Sequence, residues 1–296
     1  MQLKEIQIEL TNACQASCLM CSHRKMIRPI THMSLELLER LVGEILEITK
    51  DPYFVGICGI GEPLLHPQIS EALKIVSRLP RWAVGTNGQA LDGERIESLI
   101  ESRFGDLTLS LDAISPEVHA KMRPGLHFTT VLENVLNLFN RLKRVKRFWR
   151  YIYIQLILTN ENQSEMQPFI DYWLTKTKEL EGVVVFIKPM YQWPGLDNPY
   201  YPGPTAIIRE NPRVLWGPLN VSTSFRETCN LFNDWAMIQS DGAYQPCCMN
   251  VEDDFKIGNV KEKTILELYH SEKMNEYRRL FKNKQFDLIP FCGGCR

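Results

Sequence analysis

The chain has 296 residues and a formal net charge of -1: enough length for one large domain with a small appendage, and too even a balance for general attraction to nucleic acid or anionic membrane. No apolar run reaches the length that spans a bilayer, and the first five residues lead into a strand-like segment rather than a signal peptide, which points to a cytoplasmic protein. In that reducing compartment its 9 cysteines suggest metal ligation more than disulfides.

From residue 4 to about 188, strand and helix patterns alternate. Strands are predicted at 4–10, 54–58, 82–86, 106–111, 151–158 and 183–188. Helices are predicted at 34–49, where Leu37, Leu38, Leu41, Val42 and Ile45 recur at helical spacing, then at 67–79, 92–102, 115–145 in two pieces, and 162–180. Such alternation implies parallel strands joined by right-handed crossovers, so the six units predict an α/β fold built as a partial or open barrel. Chemistry in such sheets gathers at the carboxyl ends of the strands. The first cysteine loop, Gly59–Pro63, Thr86-Asn87-Gly88 and Asp112 all fall there.

Residues 189–220 break the pattern with Pro189, Pro194, Pro199, Pro202, Pro204, Pro212 and Pro218, mixed with Tyr191, Trp193, Tyr200, Tyr201 and Trp216. Proline denies the stretch regular helix, while the aromatics argue against a freely solvated linker. It reads as an ordered connection packed against the barrel, with a substrate-facing lid as the alternative. Beyond it, Trp235–Gln239 and Tyr244–Gln245 predict a hairpin around Asp241-Gly242, followed by a helix over about 264–282. Three units are expected: a barrel at 1–190, the connection at 191–228 and a small domain at 229–296.

The cysteines fall into two groups, Cys14, Cys18 and Cys21 at one end and Cys229, Cys247, Cys248, Cys292 and Cys295 at the other, with Cys58 between them. Three thiolates in the spacing C-x3-C-x2-C can hold three corners of a cubane iron–sulfur cluster and leave the fourth iron open to a ligand. A zinc site completed by Cys58 is the alternative. Otherwise Cys58 reads as a buried strand residue.

The segment Leu10-Thr11-Asn12-Ala13-Cys14-Gln15-Ala16-Ser17-Cys18-Leu19-Met20-Cys21 resembles the cluster loop of the radical S-adenosylmethionine superfamily. In that family the open iron binds the amino and carboxylate groups of S-adenosyl-L-methionine. One electron from the cluster then cleaves the cofactor to a 5′-deoxyadenosyl radical that abstracts a substrate hydrogen. Met20 departs from the pattern, standing where the family usually has an aromatic residue beside the adenine. Gly59-Ile60-Gly61-Glu62-Pro63 resembles the family's G-x-G-E-P variant, which implies Gly59, Gly61 and Glu62 beside the methionine moiety. By the same resemblance Thr86, Asn87, Ser110 and Asp112 lie near the cofactor, and Arg123 pairs with its carboxylate. Gln155 is a further cofactor or substrate contact if Ile154 and Leu156 face outward. Plain alternatives are Asp112 as a helix cap, Arg123 as a surface residue, and Thr86 and Asn87 as turn formers.

The arrangement C-x12-G-x4-C from Cys229 through Gly242 to Cys247 resembles the opening of the SPASM and Twitch extensions of these enzymes. With Cys292 and Cys295 it implies a single auxiliary 4Fe–4S cluster of the shorter Twitch form. Cys248 either replaces Cys247 or stays a free thiol, and a four-cysteine zinc site is the alternative for the group. The fold expected from the resemblance is a partial (β/α)6 barrel of the radical SAM type with a small α+β Twitch-like domain.

A fully ligated second cluster suits a two-electron oxidation, with redox-neutral rearrangement or epimerisation as the alternative. The cluster loop begins around residue 11, leaving no room for an amino-terminal peptide-recognition domain, so the expected substrate is a small molecule such as a sugar, aminocyclitol or nucleotide. Modification of a peptide or protein side chain, as in ribosomal-peptide or sulfatase maturation, is the second reading. A non-catalytic iron–sulfur carrier and a zinc-binding module are readings of other classes. A reductant such as flavodoxin or ferredoxin is the implied partner. The basic run from Arg141 to Arg150 reads as a solvated helix end. The histidines show no ligand spacing, and His23 reads as a polar loop residue near the site.

Overall fold

A computed structural model describes residues 3–48, 54–190, 211–217, 229 and 231–295. Its first part follows the predicted order: β1 (Glu5–Ile8), α1 (Leu35–Ile48), β2 (Phe54–Ile57), α2 (Ile69–Val76), β3 (Trp82–Thr86), α3 (Gly93–Ser102), β4 (Asp106–Ser110), α4 (Pro116–Met122), α5 (Phe128–Leu142), β5 (Tyr151–Leu158), α6 (Met166–Lys176) and β6 (Val183–Pro189). Strands β1 to β6 pair in chain order, every pair parallel.

Alternation fixes the register. In β5, Ile152, Ile154, Leu156 and Leu158 are buried in one core with Val135, Leu138 and Phe139 of α5 and with Phe169 and Trp173 of α6. The residues between them, Tyr153, Gln155 and Ile157, stay half-buried on the opposite face. A slip of one residue would drive Gln155 into that apolar layer, so the register is strongly specified. Helix starts are marked locally as well. Asp92 caps α3 by accepting from the Arg95 N–H at 2.9 Å, and Ser115 caps α4 ahead of Pro116.

The carboxyl-terminal part supplies β7 (Val214–Trp216), α7 (Leu231–Asp234), β8 (Trp235–Ile238), β9 (Ala243–Gln245), β10 (Gly258–Asn259), α8 (Ile265–Tyr269) and α9 (Glu272–Lys282). β8 runs parallel to β1 on the side away from β2, with Glu5 opposite Trp235 and Ile8 opposite Ile238. β9 and β10 continue antiparallel from there, giving one ten-stranded sheet in the order β10-β9-β8-β1-β2-β3-β4-β5-β6-β7. The auxiliary part thus shares the barrel's sheet.

Two expectations need correction. The helix predicted over 264–282 is two helices, because Ser271 leaves helical geometry (ψ 155) and its hydroxyl accepts from the Met274 N–H to start α9. Thr264 and Glu267 close a capping box on α8. Within the predicted connection, Val214-Leu215-Trp216 forms a strand parallel to β6. Residues 191–210 and 218–228 lie outside the described residues, and with them the lid and packed-connection readings. Among the described residues no helix is long and apolar enough to cross a membrane.

A buried ionic knot ties the two parts together. Glu9, just past β1, takes two contacts from Arg28 Nη2, at 2.7 and 2.8 Å, and the two side chains are 1 % and 7 % exposed. Glu9 also accepts from the Ile60 N–H and from the backbone and hydroxyl of Ser240, while Arg28 Nε donates to the Val251 carbonyl. Removing one member leaves a desolvated charge uncompensated. Arg28→Met is expected to cost about 3–5 kcal/mol, read as a lowered urea midpoint with unchanged slope.

Candidate active site

The loop after β1 is stitched at its base. The Asn12 amide donates to the Pro29 carbonyl at 2.8 Å, and its Oδ1 accepts from the Thr31 N–H at 2.6 Å. Thr11 Oγ1 accepts from the Ala13 N–H and contacts His32 Nδ1. His23 lies within hydrogen-bond distance of the Asn12 carbonyl, 2.9 Å, which makes it a loop brace. The middle of the loop is clasped by the segment after α4, since Ser17 N–H donates to the Pro124 carbonyl at 2.7 Å and Leu19 N–H to the Met122 carbonyl at 2.9 Å. Gly125 makes the clasp possible. Its φ of +92 disfavours a side chain, and a Cβ there would lie 2.4 Å from the Gln15 carbonyl oxygen.

The clasped loop brings Cys14, Cys18 and Cys21 to one cavity of about 390 Å³ at the carboxyl ends of the strands. Cavity walls include Gly59, Gly61, Glu62, Thr86, Asn87, Ser110, Arg123 and Gln155, so eight of the nine predicted cofactor contacts converge there. Gly61 packs against the loop backbone, where a Cβ would come within 2.3 Å of the Thr11 carbonyl oxygen. Asp112 is the ninth. It is fully buried outside the cavity wall, 2.6 Å from Arg123 Nη2.

Each polar wall residue is held. Glu62 is 3 % exposed; its carboxylate accepts from the Asn87 N–H at 2.7 Å and from the Leu64 N–H at 3.2 Å. Burial raises the pKa of Glu62 above the usual carboxylate range, and those hydrogen bonds oppose the rise. Asn87 in turn accepts from Gln15 Nε2 at 3.3 Å and caps the Gln89 N–H. Gln155 donates to Ser110 Oγ at 3.3 Å. Burial works against the Arg123 charge, but Asp112 outweighs it and the pKa rises.

Burial also pushes the Cys14 thiol up to about 12 and raises Cys18 and Cys21. Thiols so situated give up their protons to a metal rather than to water. Cys14 lies close enough to Cys18 and Cys21 to feel their charge, whereas Cys58 on the same cavity feels Cys248 and none of the three, so the trio fits a cluster with one open corner better than a four-sulfur site closed by Cys58.

A second, small pocket of about 20 Å³ is lined by Cys229, Cys247, Cys292 and Cys295. Phe232, Phe281 and Phe291 form much of the remaining wall, so the four cysteines line one small apolar pocket. The Met249 N–H donates to Cys247 Sγ at 3.4 Å, and the short turn Cys292–Gly294 delivers Cys292 and Cys295 to the same place. This donor set suits a closed four-thiolate centre.

The neighbouring cysteines part company. Cys247 lines the small pocket, whereas Cys248 lines the large cavity with Cys58 and Lys188. Cys58 is therefore no simple core residue; it sits one position past β2 on the cavity wall, its thiol pushed up to about 12 by burial. Burial lowers the pKa of Lys188. Sequence reasoning missed Gln7, Lys188 and Cys248 as cavity residues. The signal for the first was alternation, since Ile6 and Ile8 are core; for the second it was position, at the carboxyl end of β6. Met249 lines both cavities.

Comparison with known proteins agrees with this geometry. A family model described as the Radical SAM superfamily matches residues 8–172, and one described as an iron–sulfur cluster-binding domain, SPASM, matches residues 229–296. A Pyrococcus furiosus protein described as a tungsten-containing aldehyde ferredoxin oxidoreductase cofactor-modifying protein is 21% identical, covering 99% of this chain and 87% of that protein. Among solved structures, BtrN in complex with AdoMet and 2-DOIA is 14% identical with a TM-score of 0.60, covering 100% of this chain and 94% of BtrN. Streptococcus suis SuiB bound to its precursor peptide SuiA is 16% identical with a TM-score of 0.74, covering 94% and 67%. These two likenesses are of fold.

Proposed function

The chain belongs to the radical SAM superfamily and carries a SPASM iron–sulfur domain, and from that premise we propose that it catalyses a two-electron oxidation of a small molecule such as a sugar, aminocyclitol or nucleotide. It is an enzyme of iron–sulfur clusters and S-adenosyl-L-methionine. Together, the first cluster and that cofactor supply a one-electron cleavage whose product abstracts a hydrogen atom.

The chain's own residues divide the labour. Cys14, Cys18 and Cys21 would hold the first 4Fe–4S cluster, and Cys229, Cys247, Cys292 and Cys295 the auxiliary one. Gly59 and Gly61 would admit the cofactor's methionine portion to the backbone, whose polar groups would meet its ammonium, while the fixed Glu62 carboxylate holds the neighbouring turn. Thr86, Asn87, Ser110 and Gln155 offer hydrogen bonds to its polar groups. Arg123 supplies the cation for its carboxylate, and Asp112 acts from behind by orienting that guanidinium. Residues 1–190 would form the barrel, 191–228 the connection and 229–296 the auxiliary unit. A cytoplasmic setting, with flavodoxin or ferredoxin as reductant, keeps the thiols available for clusters.

The observation that carries the oxidation is that Met249 lines both the large cavity and the four-thiol pocket, which places the two side by side. A cluster held by the four thiols would offer the adjoining cavity an electron acceptor. Modification of a peptide or protein side chain is the second reading, favoured by the likeness to peptide-bound SuiB.

Anaerobically reconstituted protein with dithionite, S-adenosyl-L-methionine and deuterated candidates tests the proposal by mass spectrometry. Deuterium should pass from a sugar, cyclitol or nucleotide into 5′-deoxyadenosine, and the product should be two hydrogens lighter. Transfer from a peptide, or a product of unchanged mass, would overturn the small-molecule oxidation.

A further inference from the structure

We propose that Arg123 and Asp112 form a charge-compensated pair that sets the redox potential of the first cluster through Cys18, a positioning role separate from any contact of Arg123 with the cofactor. The inference rests on the cluster assignment made above. It concerns the arm of Arg123 that faces the thiol.

Arg123 Nη1 donates to Cys18 Sγ at 3.6 Å, while Nη2 lies 2.6 Å from Asp112 Oδ2. The two side chains are 7 % and 0 % exposed, and Nε is buried without a hydrogen-bond partner among the described residues. Neither group is free to drift. The residues flanking Arg123, Met122 and Pro124, both accept backbone hydrogen bonds from the cysteine loop. Asp112 has a φ of 64, and its Oδ1 accepts from the Ile157 N–H at 2.7 Å. Its carbonyl also accepts from the Asn162 amide at 2.8 Å. A non-glycine residue held at positive φ marks a position that the surroundings over-determine.

Reduction adds one negative charge to a cluster. A guanidinium hydrogen-bonded to a ligating sulfur favours the reduced form, and the carboxylate behind it offsets part of that gain. Burial keeps both effects from being screened. The potential is therefore the balance of two fixed charges rather than the effect of one.

An EPR-monitored redox titration of the reconstituted holoprotein, without S-adenosyl-L-methionine, tests this. Arg123→Gln should make the first cluster's midpoint more negative, and Asp112→Asn should make it more positive. Each change should be at least about tenfold in the oxidised-to-reduced ratio at fixed potential, which is about 59 mV for one electron. Arg123→Lys should restore most of the shift, and the double variant should return towards wild type. The auxiliary cluster serves as internal reference and should not move. Equal shifts in both clusters, or opposing variants that move the first cluster in the same direction or not at all, would overturn the proposal. A wild-type protein without a cluster on Cys14, Cys18 and Cys21 would overturn the functional reading with it. A wild-type cluster that is indifferent to both variants would overturn the inference alone.

Discussion

Replacing Cys14, Cys18 and Cys21 together by alanine is expected to leave a folded protein that retains about four irons and no longer cleaves S-adenosyl-L-methionine. The loop's thiols add only weak contacts to its path, such as Cys21 Sγ accepting from the His23 N–H at 3.4 Å. Asn12 anchors it to Pro29 and Thr31, and its middle is fastened to Met122 and Pro124 through the backbone. The loss should therefore appear in iron content and in 5′-deoxyadenosine yield, not in the unfolding curve. Cleavage should fall to the background of the dithionite control. If the triple variant cleaves the cofactor at even a tenth of the wild-type rate, the first centre has been assigned to the wrong residues.

Cys247→Ala and Cys248→Ala should behave oppositely although the residues are adjacent. Cys247 faces the four-thiol pocket, so its loss should lower iron from about eight to about four per chain. Cofactor cleavage should continue in that variant, since the first centre is intact, while the oxidised product should disappear. Cys248 lines the large cavity and not the four-thiol pocket, so its loss should leave iron near about eight. Iron and sulfide analysis beside the product assay decides the matter. Equal iron loss in both variants would mean that the pair shares one centre.

Much of this was legible from residues alone. Strand and helix periodicity located β1 to β6 because β1, β3 and β5 alternate cleanly, β2 and β6 are short apolar runs, and the helices between them carry apolar stripes. The cysteine loop, the glycine turn after β2 and the polar residues after β3 and β4 were legible because carboxyl ends of parallel strands converge. Other features were hidden for identifiable reasons. Ser271 splits the last helix through a single cap, which periodicity does not register. Asp112 was expected at the cofactor, but its ion pair with Arg123 arises between the end of β4 and the end of α4, a tertiary relation. Glu9 with Arg28 was unforeseen for the same reason. The sorting of Cys247 from Cys248 depends on which way two successive side chains face, and local spacing leaves that open.

The place of β1 in the sheet has a consequence for biosynthesis. Its four residues are flanked by β2 on one side and by β8 on the other, and Lys4 meets Asp234 across 230 positions of sequence. A nascent chain that has emerged only through β6 carries an uncovered β1 edge, next to the loop that bears the first three thiols. Such an edge templates association with other chains until a partner covers it. That edge stays open until β8, more than two hundred residues later, arrives to complete the sheet.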